Sequence, residues 1–291
     1  MTRKSALISI HLAAVLFGLT GIFGELIQGD AGLITAGRAV FAVLSLLLFM
    51  RWQGAPLFKG IDLRSAAALS AAGLMLAIHW VTFFVSVKIS GVAIATLGFA
   101  SFPAFITLTE WLVLRERVSR AEWAILFLVT AGLVLVTPSF DFRDEATVGL
   151  GWAVASGLSF ALFTVINRKA AGHLSAYQVA CWENFIVALA TLPFSFGGFS
   201  ELAALDWLWL GLLGVFCTAL SHFLLVSSLV ALNARSAGIV IALEPLYAIV
   251  FAAILFSQYP SARALLGGAI MIGAIVWSGL RKPDRRPEAL Q

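Results

Sequence analysis

The sequence predicts an all-α integral membrane protein with ten transmembrane helices, arranged as two inverted five-helix repeats with both termini in the cytoplasm. Three observations predict this. The composition is 61% hydrophobic and 12% charged with a mean hydropathy of +0.99, more apolar surface than a soluble chain of 291 residues can hide. The basic residues segregate to alternate loops. Two apolar stretches carry a proline at the same internal place, Phe102-Pro103 and Glu244-Pro245, 142 residues apart.

A helix crossing about 30 Å of hydrocarbon needs about 20 apolar residues. Polar breaks divide the chain into runs near 5–25, 33–50, 65–87, 91–114, 121–137, 148–166, 176–196, 205–228, 234–256 and 262–280. Arg3 and Lys4 ahead of the first run imitate a signal peptide, but nine further runs make it an uncleaved first helix. The second run holds Arg38 and ends at Trp52, whose indole suits the interfacial belt. The third carries His79 and Trp80. The fourth opens Ser90-Gly91 and continues through Ala93, Ala95, Gly98 and Ala100 to the first proline. The fifth carries Gly132, the sixth Phe160 and Phe163, and the seventh Cys181, Trp182 and Glu183. The eighth begins at the interfacial Trp207 and Trp209 and carries Cys217 and His222. The ninth matches the fourth in small residues, with Ser236, Ala237, Gly238 and Ala242, and the tenth carries Gly267, Gly268 and Gly273. Small faces of this kind permit close helix approach. The repeats divide as 1–140 and 141–291, the second ending in a short basic tail. Both cysteines lie inside runs, so no disulfide is expected.

The charges orient the chain. One set of loops and tails holds Arg3, Lys4, Arg51, Lys59, Arg64, Arg115, Arg117, Arg120, Arg168, Lys169, Arg235, Arg281, Lys282, Arg285 and Arg286. The other holds Lys88, Arg143 and Arg263 against seven acids, among them Glu25, Asp30, Asp144 and Asp206. The positive-inside rule then puts both termini in the cytoplasm. Five spans per half is an odd number, so the second half enters from the opposite side. At the 142 offset Ala95, Ala100 and Ser119 meet Ala237, Ala242 and Ser261, while the basic Arg115-Glu116-Arg117 meets the uncharged Ser257-Gln258-Tyr259. An inverted pseudo-symmetry lets one bundle adopt two packings that open a central site to each side in turn.

The segments running from Phe102-Pro103 to Arg115-Glu116-Arg117-Val118-Ser119, and from Ala242-Leu243-Glu244-Pro245 to Ser257-Gln258-Tyr259-Pro260-Ser261, each followed by a glycine-bearing closing helix, resemble the drug/metabolite transporter superfamily. The resemblance covers nearly the whole chain and is to its ten-helix EamA-type exporters. In that family the fourth and ninth helices run through a proline toward a polar turn with a glutamate. Glu116 fits, whereas Gln258 departs from the usual acid. Length and paucity of charge also resemble bacterial exporters of amino acids, including the aromatic amino acid exporter branch.

An ionisable side chain inside a span is costly and faces a cavity or a partner. Glu244, about ten residues into its run and so roughly 15 Å deep, lies near the midplane. It serves either as a functional acid or as a structural carboxyl group hydrogen-bonded to a neighbouring helix or to backbone freed by Pro245. Arg38, about five residues from the outer end of its run, either holds a carboxylate through two parallel hydrogen bonds, snorkels outward or pairs with an acid. Glu183 lies on the order of 10 Å away in depth, too far for a direct bridge. Glu110 is expected in an interfacial salt bridge with Arg115 or Arg117, and His11 in a structural role. His79 can carry a proton, hydrogen-bond a substrate while neutral, or simply link to another helix, and Phe83 shares its helix face. Phe99 and Phe102, three apart, can stack against an apolar or aromatic group.

The expected substrate-binding residues are therefore Arg38, His79, Trp80, Phe83, Phe99, Phe102, Trp182 and Glu244, with Glu244 and His79 as candidates for proton coupling. The expected activity is secondary export of small metabolites, above all amino acids, by alternating access. One deep arginine is little provision for sugar phosphates, and the first run lacks the acid a multidrug cation exporter needs. An intramembrane lipid-modifying enzyme would need clustered carboxylates or paired His and Glu, which the sequence lacks. The expected partners are a small-molecule substrate and the lipid bilayer of a bacterial inner membrane. Neither nucleic acid, cofactor nor metal is expected, and the chain is expected to act as a monomer.

Overall fold

The computed structural model describes residues 2–57, 59–113, 115, 118–139, 141–170, 174–228, 231–232 and 240–280. Glu116, Arg117, Arg235, residues 234–238 of the ninth run and the basic tail lie outside them. The described residues are helical, with no strand among them. Six helical stretches are long and apolar enough to cross a membrane: Arg3–Leu26, Ala31–Trp52, Leu63–Phe99, Glu145–Asn167, Ala176–Glu201 and Ala204–Leu225. Two more, Glu244–Phe256 and Ala262–Ser278, are apolar but shorter.

Side-chain caps set the helix starts. In α1 (Arg3–Leu26) the Thr2 hydroxyl accepts from the Ser5 amide. Asp30 and Asp62 do the same for α2 (Ala31–Trp52) and α3 (Leu63–Phe99), each at 2.8 Å. Ser119 with Glu122 and Ser175 with Gln178 form reciprocal capping boxes on α5 (Arg120–Val136) and α7 (Ala176–Ser195). Before α6 (Glu145–Ala170), the Asp144 carboxylate takes hydroxyl bonds from Thr147 at 2.8 Å and Ser139 at 2.9 Å. A 3₁₀ turn, Phe196–Glu201, follows α7 and leads to α8 (Ala204–Gly214).

The third and fourth predicted runs join at a single residue. Gly91 at φ 79° turns the chain inside α3, a left-handed conformation that costs glycine little. A Cβ there would also lie 2.8 Å from Gln258 Oε1. Gln258 fills this corner: its Oε1 accepts from the Val92 amide at 3.1 Å and its Nε2 donates to Glu25 Oε1 at 3.4 Å.

A proline inside a span would be expected to bend its helix, but neither Pro103 nor Pro245 bends a continuous one. Before Pro103 the chain leaves α3 and restarts as α4 (Phe102–Leu112), and before Pro245 it restarts as α10 (Glu244–Phe256). Each proline stands in the first turn, where a missing N–H loses no intrahelical bond and its fixed φ suits the helix. The two breaks share a hydrogen-bond pattern. Ser101 N donates to Gly98 O at 3.1 Å and Ala104 N to Ser101 O at 3.0 Å; Leu243 N donates to Val240 O at 3.1 Å and Leu246 N to Leu243 O at 3.0 Å. These residues correspond one for one at the 142 offset.

The eighth predicted run is divided too. Between α8 and α9 (Ser221–Ser228) lies a π-helical turn, Val215–Leu220. There the Thr218 hydroxyl donates to Leu213 O, five residues back, at 3.0 Å.

Packing follows the same correspondence. The helix that opens the second half, α6, packs on α3 and α4, and α1 packs on α9 and α10. Close approach needs small residues at these crossings: a Cβ on Gly98 would lie 2.5 Å from Ala153 Cβ, and one on Gly18 2.9 Å from Tyr247 Cβ. α2 and α7 run antiparallel, with Gly32 beside Ser195 at one end and the Phe49 and Tyr177 rings 5.1 Å apart at the other. The last helices of the halves, α5 and α11 (Ala262–Leu280), cross at Gly132 and Gly267, where an added Cβ would come within 2.7 Å of backbone.

Candidate functional site

Between the halves lies a cavity of about 200 Å³. Seven of the eight residues singled out in the sequence border it: Arg38, His79, Trp80, Phe83, Phe99, Phe102 and Glu244. They come from α2, α3, α4 and α10. The breaks before the prolines put Phe102 and Glu244, equivalent positions of the two halves, at the first turns of their helices and on the same space.

Arg38 does not snorkel. It is 5% exposed, and its Nε donates to Thr218 Oγ1 at 2.7 Å while the guanidinium carbon lies 3.8 Å from the centre of the Trp80 ring. Because the Thr218 hydroxyl proton goes to Leu213 O, its oxygen is free to accept from Arg38. The indole face stabilises the cation without consuming its donors. Among the described residues no protein group takes the terminal Nη hydrogens, and Arg38 forms no ion pair with Glu183, as the difference in depth led us to expect.

His79 is fixed by Ser156 of α6. Nδ1 lies 2.7 Å from Ser156 Oγ, and that hydroxyl donates to His79 O at 3.1 Å. A hydroxyl has one proton, so both bonds are satisfied together only when His79 Nδ1 donates. The neutral imidazole then keeps Nε2 as an acceptor. Aromatic rings build the wall beside it. His79 stacks on Phe99 at 4.9 Å, Phe99 on Phe102 at 5.1 Å, and Phe160 meets both phenylalanines edge-on at 5.4 and 5.2 Å.

Trp182 lies outside this lining. Its indole Nε1 donates to Ser70 Oγ on α3 at 3.2 Å. Successive residues of a helix point about 100° apart. Because Glu183 faces the cavity, its predecessor is turned onto α3. Sequence reasoning singled out neither Asn184 nor Thr218 and gave Glu183 no part in binding, yet all three border the cavity together with His222 and Phe160. The signal available was their polarity within apolar runs, which marks interhelical bonds and cavity walls alike.

A second chamber of about 340 Å³ lies beyond Phe99, Phe102, Ile241 and Glu244, which border both spaces, and it extends to Glu122 and Ser278. The molecule is thus a multi-pass helical membrane protein with a mostly apolar internal chamber carrying a few fixed polar groups.

That architecture agrees with the sequence comparisons. The profile of the EamA-like transporter family matches twice, over residues 4–137 and 147–280, and the chain belongs to this family. Among curated relatives, the uncharacterized transporter YxxF of Bacillus subtilis is 25% identical over 97% of this chain and 92% of its own. The pseudopaline exporter CntI of Pseudomonas aeruginosa is 27% identical over 91% of this chain and 94% of its own. An S-adenosylmethionine uptake transporter of Rickettsia felis is 23% identical over 75% of this chain and 74% of its own. A solved crystal structure superposes with a TM-score of 0.67 at 17% identity, covering 95% of this chain and 97% of that one, and so shares the fold. The relatives' names support a membrane transporter rather than an enzyme.

Proposed function

We propose that the protein is a secondary exporter of amino acids, aromatic and other apolar ones foremost, working by alternating access. The observation that carries this reading is Arg38, a buried guanidinium held at Nε by Thr218 with its Nη donors turned to a cavity walled by phenylalanines. Two parallel Nη–H bonds suit a carboxylate, and the aromatic wall suits an apolar side chain. A volume near 200 Å³ is below the usual range for drug-sized ligands and in keeping with a small metabolite. Trp80 and Phe83 complete the contacts, and Glu244 or His79 carries any coupled proton.

The same reading has ten transmembrane helices, with α3 passing twice through the bilayer around Gly91 and α8 to α9 forming one span. The halves 1–140 and 141–291 are inverted, both termini face the cytoplasm of a bacterial inner membrane, and the chain acts as a monomer. The loop charges and the hydrogen-bond equivalence of the two breaks support it. Reporter fusions at each terminus test the orientation: activity of a periplasmic reporter at either end overturns it.

The relatives named for pseudopaline and S-adenosylmethionine support a second reading, in which other metabolites are carried. Flux of labelled amino acids in proteoliposomes, with and without a pH gradient, decides between them. Saturable phenylalanine flux that Arg38→Gln reduces at least tenfold is expected. Absence of flux for every amino acid overturns the reading, and a Glu244→Gln variant with unchanged flux and pH dependence removes that acid as a coupling group.

A further inference from the structure

The imidazole of His79 is held in one orientation and one tautomer by α6. Ser156 is buried, and its hydroxyl has two partners on the same residue of α3: ring Nδ1 at 2.7 Å and the backbone oxygen of His79 at 3.1 Å. The single hydroxyl proton goes to the backbone oxygen, so the Nδ1 contact is a hydrogen bond only when Nδ1 carries the proton. Nε2 of the neutral ring is then a bare acceptor. It has no hydrogen-bond partner among the described residues and is not one of the enclosed polar atoms of the interior, so its surface opens on the cavity that His79 borders.

The surroundings of Nε2 offer it no donor. Phe83, Phe99 and Phe160 stand around the ring at centroid distances of 6.3, 4.9 and 5.0 Å, and the Thr218 hydroxyl gives its proton to Leu213 O. An acceptor set in a phenylalanine wall costs free energy until a donor reaches it. This wall is where an apolar side chain packs while the substrate carboxylate meets Arg38. Trp80, which covers Arg38, and His79 are consecutive on α3 and point about 100° apart. An α-ammonium, one carbon from the carboxylate, stays with Arg38. The rim of the side chain is left to reach His79.

We infer that His79, positioned by Ser156, reads the rim of the substrate's aromatic ring: Nε2 accepts a hydrogen bond from a neutral O–H or N–H, so the cavity prefers hydroxyphenyl and indole side chains to phenyl. A site built around such an acceptor penalises the analogue that leaves it unpaired. The inference deepens the amino acid reading and rests on it for the remainder of the substrate. The acceptor itself is testable without an amino acid.

Two measurements on the purified full-length protein in detergent do this. The first is nitrogen NMR of protein labelled isotopically at its histidine nitrogens, with the His79 signals assigned by their absence from His79→Phe. Wild-type His79 should show a protonated Nδ1 and an unprotonated Nε2. Ser156→Ala should turn that single tautomer into a mixture, a signature that a loss of packing alone does not produce. Para-cresol, a hydroxyphenyl group without amine or carboxylate, should shift the Nε2 signal, and toluene should not. The second is calorimetry with tyrosine, phenylalanine and O-methyltyrosine. Wild type should bind tyrosine roughly tenfold more tightly than phenylalanine, with O-methyltyrosine, which keeps the oxygen and loses the proton, no better than phenylalanine. In Ser156→Ala and in His79→Phe the preference for tyrosine should fall to within about twofold.

A wild-type His79 protonated at Nε2, alone or at both nitrogens, overturns the inference before any ligand is added and without needing a variant of Ser156 to fold. Equal affinity for tyrosine and phenylalanine overturns it too, as does a preference that O-methyltyrosine shares, which reports ring size. A preference for tyrosine that survives Ser156→Ala removes Ser156 as the positioning residue. A shift of Nε2 by para-cresol and not by toluene, with no amino acid bound or carried, upholds the acceptor and removes the amino acid reading instead. No shift by para-cresol and no amino acid binding remove both.

Discussion

Arg38 and Thr218, 180 residues apart, share one short hydrogen bond that joins α2 to a π-helical turn. The turn makes the bond possible. With a sixth residue inserted into the local repeat, the Thr218 hydroxyl donates to Leu213 O rather than to the carbonyl four residues back, and its lone pair faces the guanidinium. Trp80 covers the face of the same group at 3.8 Å. Thr218 is therefore a positioning residue for Arg38.

Thr218→Val keeps the shape and deletes the acceptor. It should raise KM for a carboxylate substrate about tenfold with little change in maximal flux, and Thr218→Ser should restore wild-type values. Proteoliposome kinetics read the split. A loss of maximal flux alone would assign Thr218 to the helix rather than to the arginine.

Gly91 should tolerate no side chain. Gly91→Ala puts a Cβ into a left-handed backbone and against the Gln258 amide, so we expect a loss of roughly 1–3 kcal/mol in stability. Thermal unfolding in detergent measures it. Adding Gln258→Ala relieves the contact but not the backbone strain, so the double variant should recover only part of the loss.

Pro103→Ala and Pro245→Ala should each change stability by less than about 1 kcal/mol, because each proline occupies a first turn that needs no N–H. A proline inside a continuous helix would give a much larger gain on replacement, about 3 kcal/mol, and observing that would contradict the broken helices.

The turn before α6 should loosen in acid. Hydroxyl bonds from Thr147 and Ser139 hold the Asp144 carboxyl below its usual range. A depressed folded value means that the contribution is present above about pH 4 and is lost as pH falls through it. Hydrogen exchange at the amides of 144–148 should therefore quicken below pH 4 in the wild type and be quick at all pH values in Asp144→Ala.

Much of the cavity was legible in the chain because lipid removes most alternatives. An arginine, a histidine or a glutamate deep in an apolar run has to face protein, and Arg38, His79 and Glu244 do. Phe99 and Phe102 were legible through helical spacing next to a proline. Trp182 was misjudged because depth along a helix says nothing about azimuth. Glu183 is its neighbour at the same depth and takes the cavity side. Thr218 was invisible because its role depends on a π-helical turn, which residue type does not encode.

The division between the two sources of information has a physical basis. Solvation depends on composition and local pattern, so hydropathy, loop charge and the repeated proline segments suffice to define a polytopic helical protein and its doubled plan. Hydrogen-bond satisfaction depends on partners from distant parts of the chain. That Arg38 is held by Thr218, that Gln258 closes the corner at Gly91, and that Ser156 leaves His79 Nε2 as an acceptor became visible when the helices were packed, because each statement concerns atoms more than one helix apart.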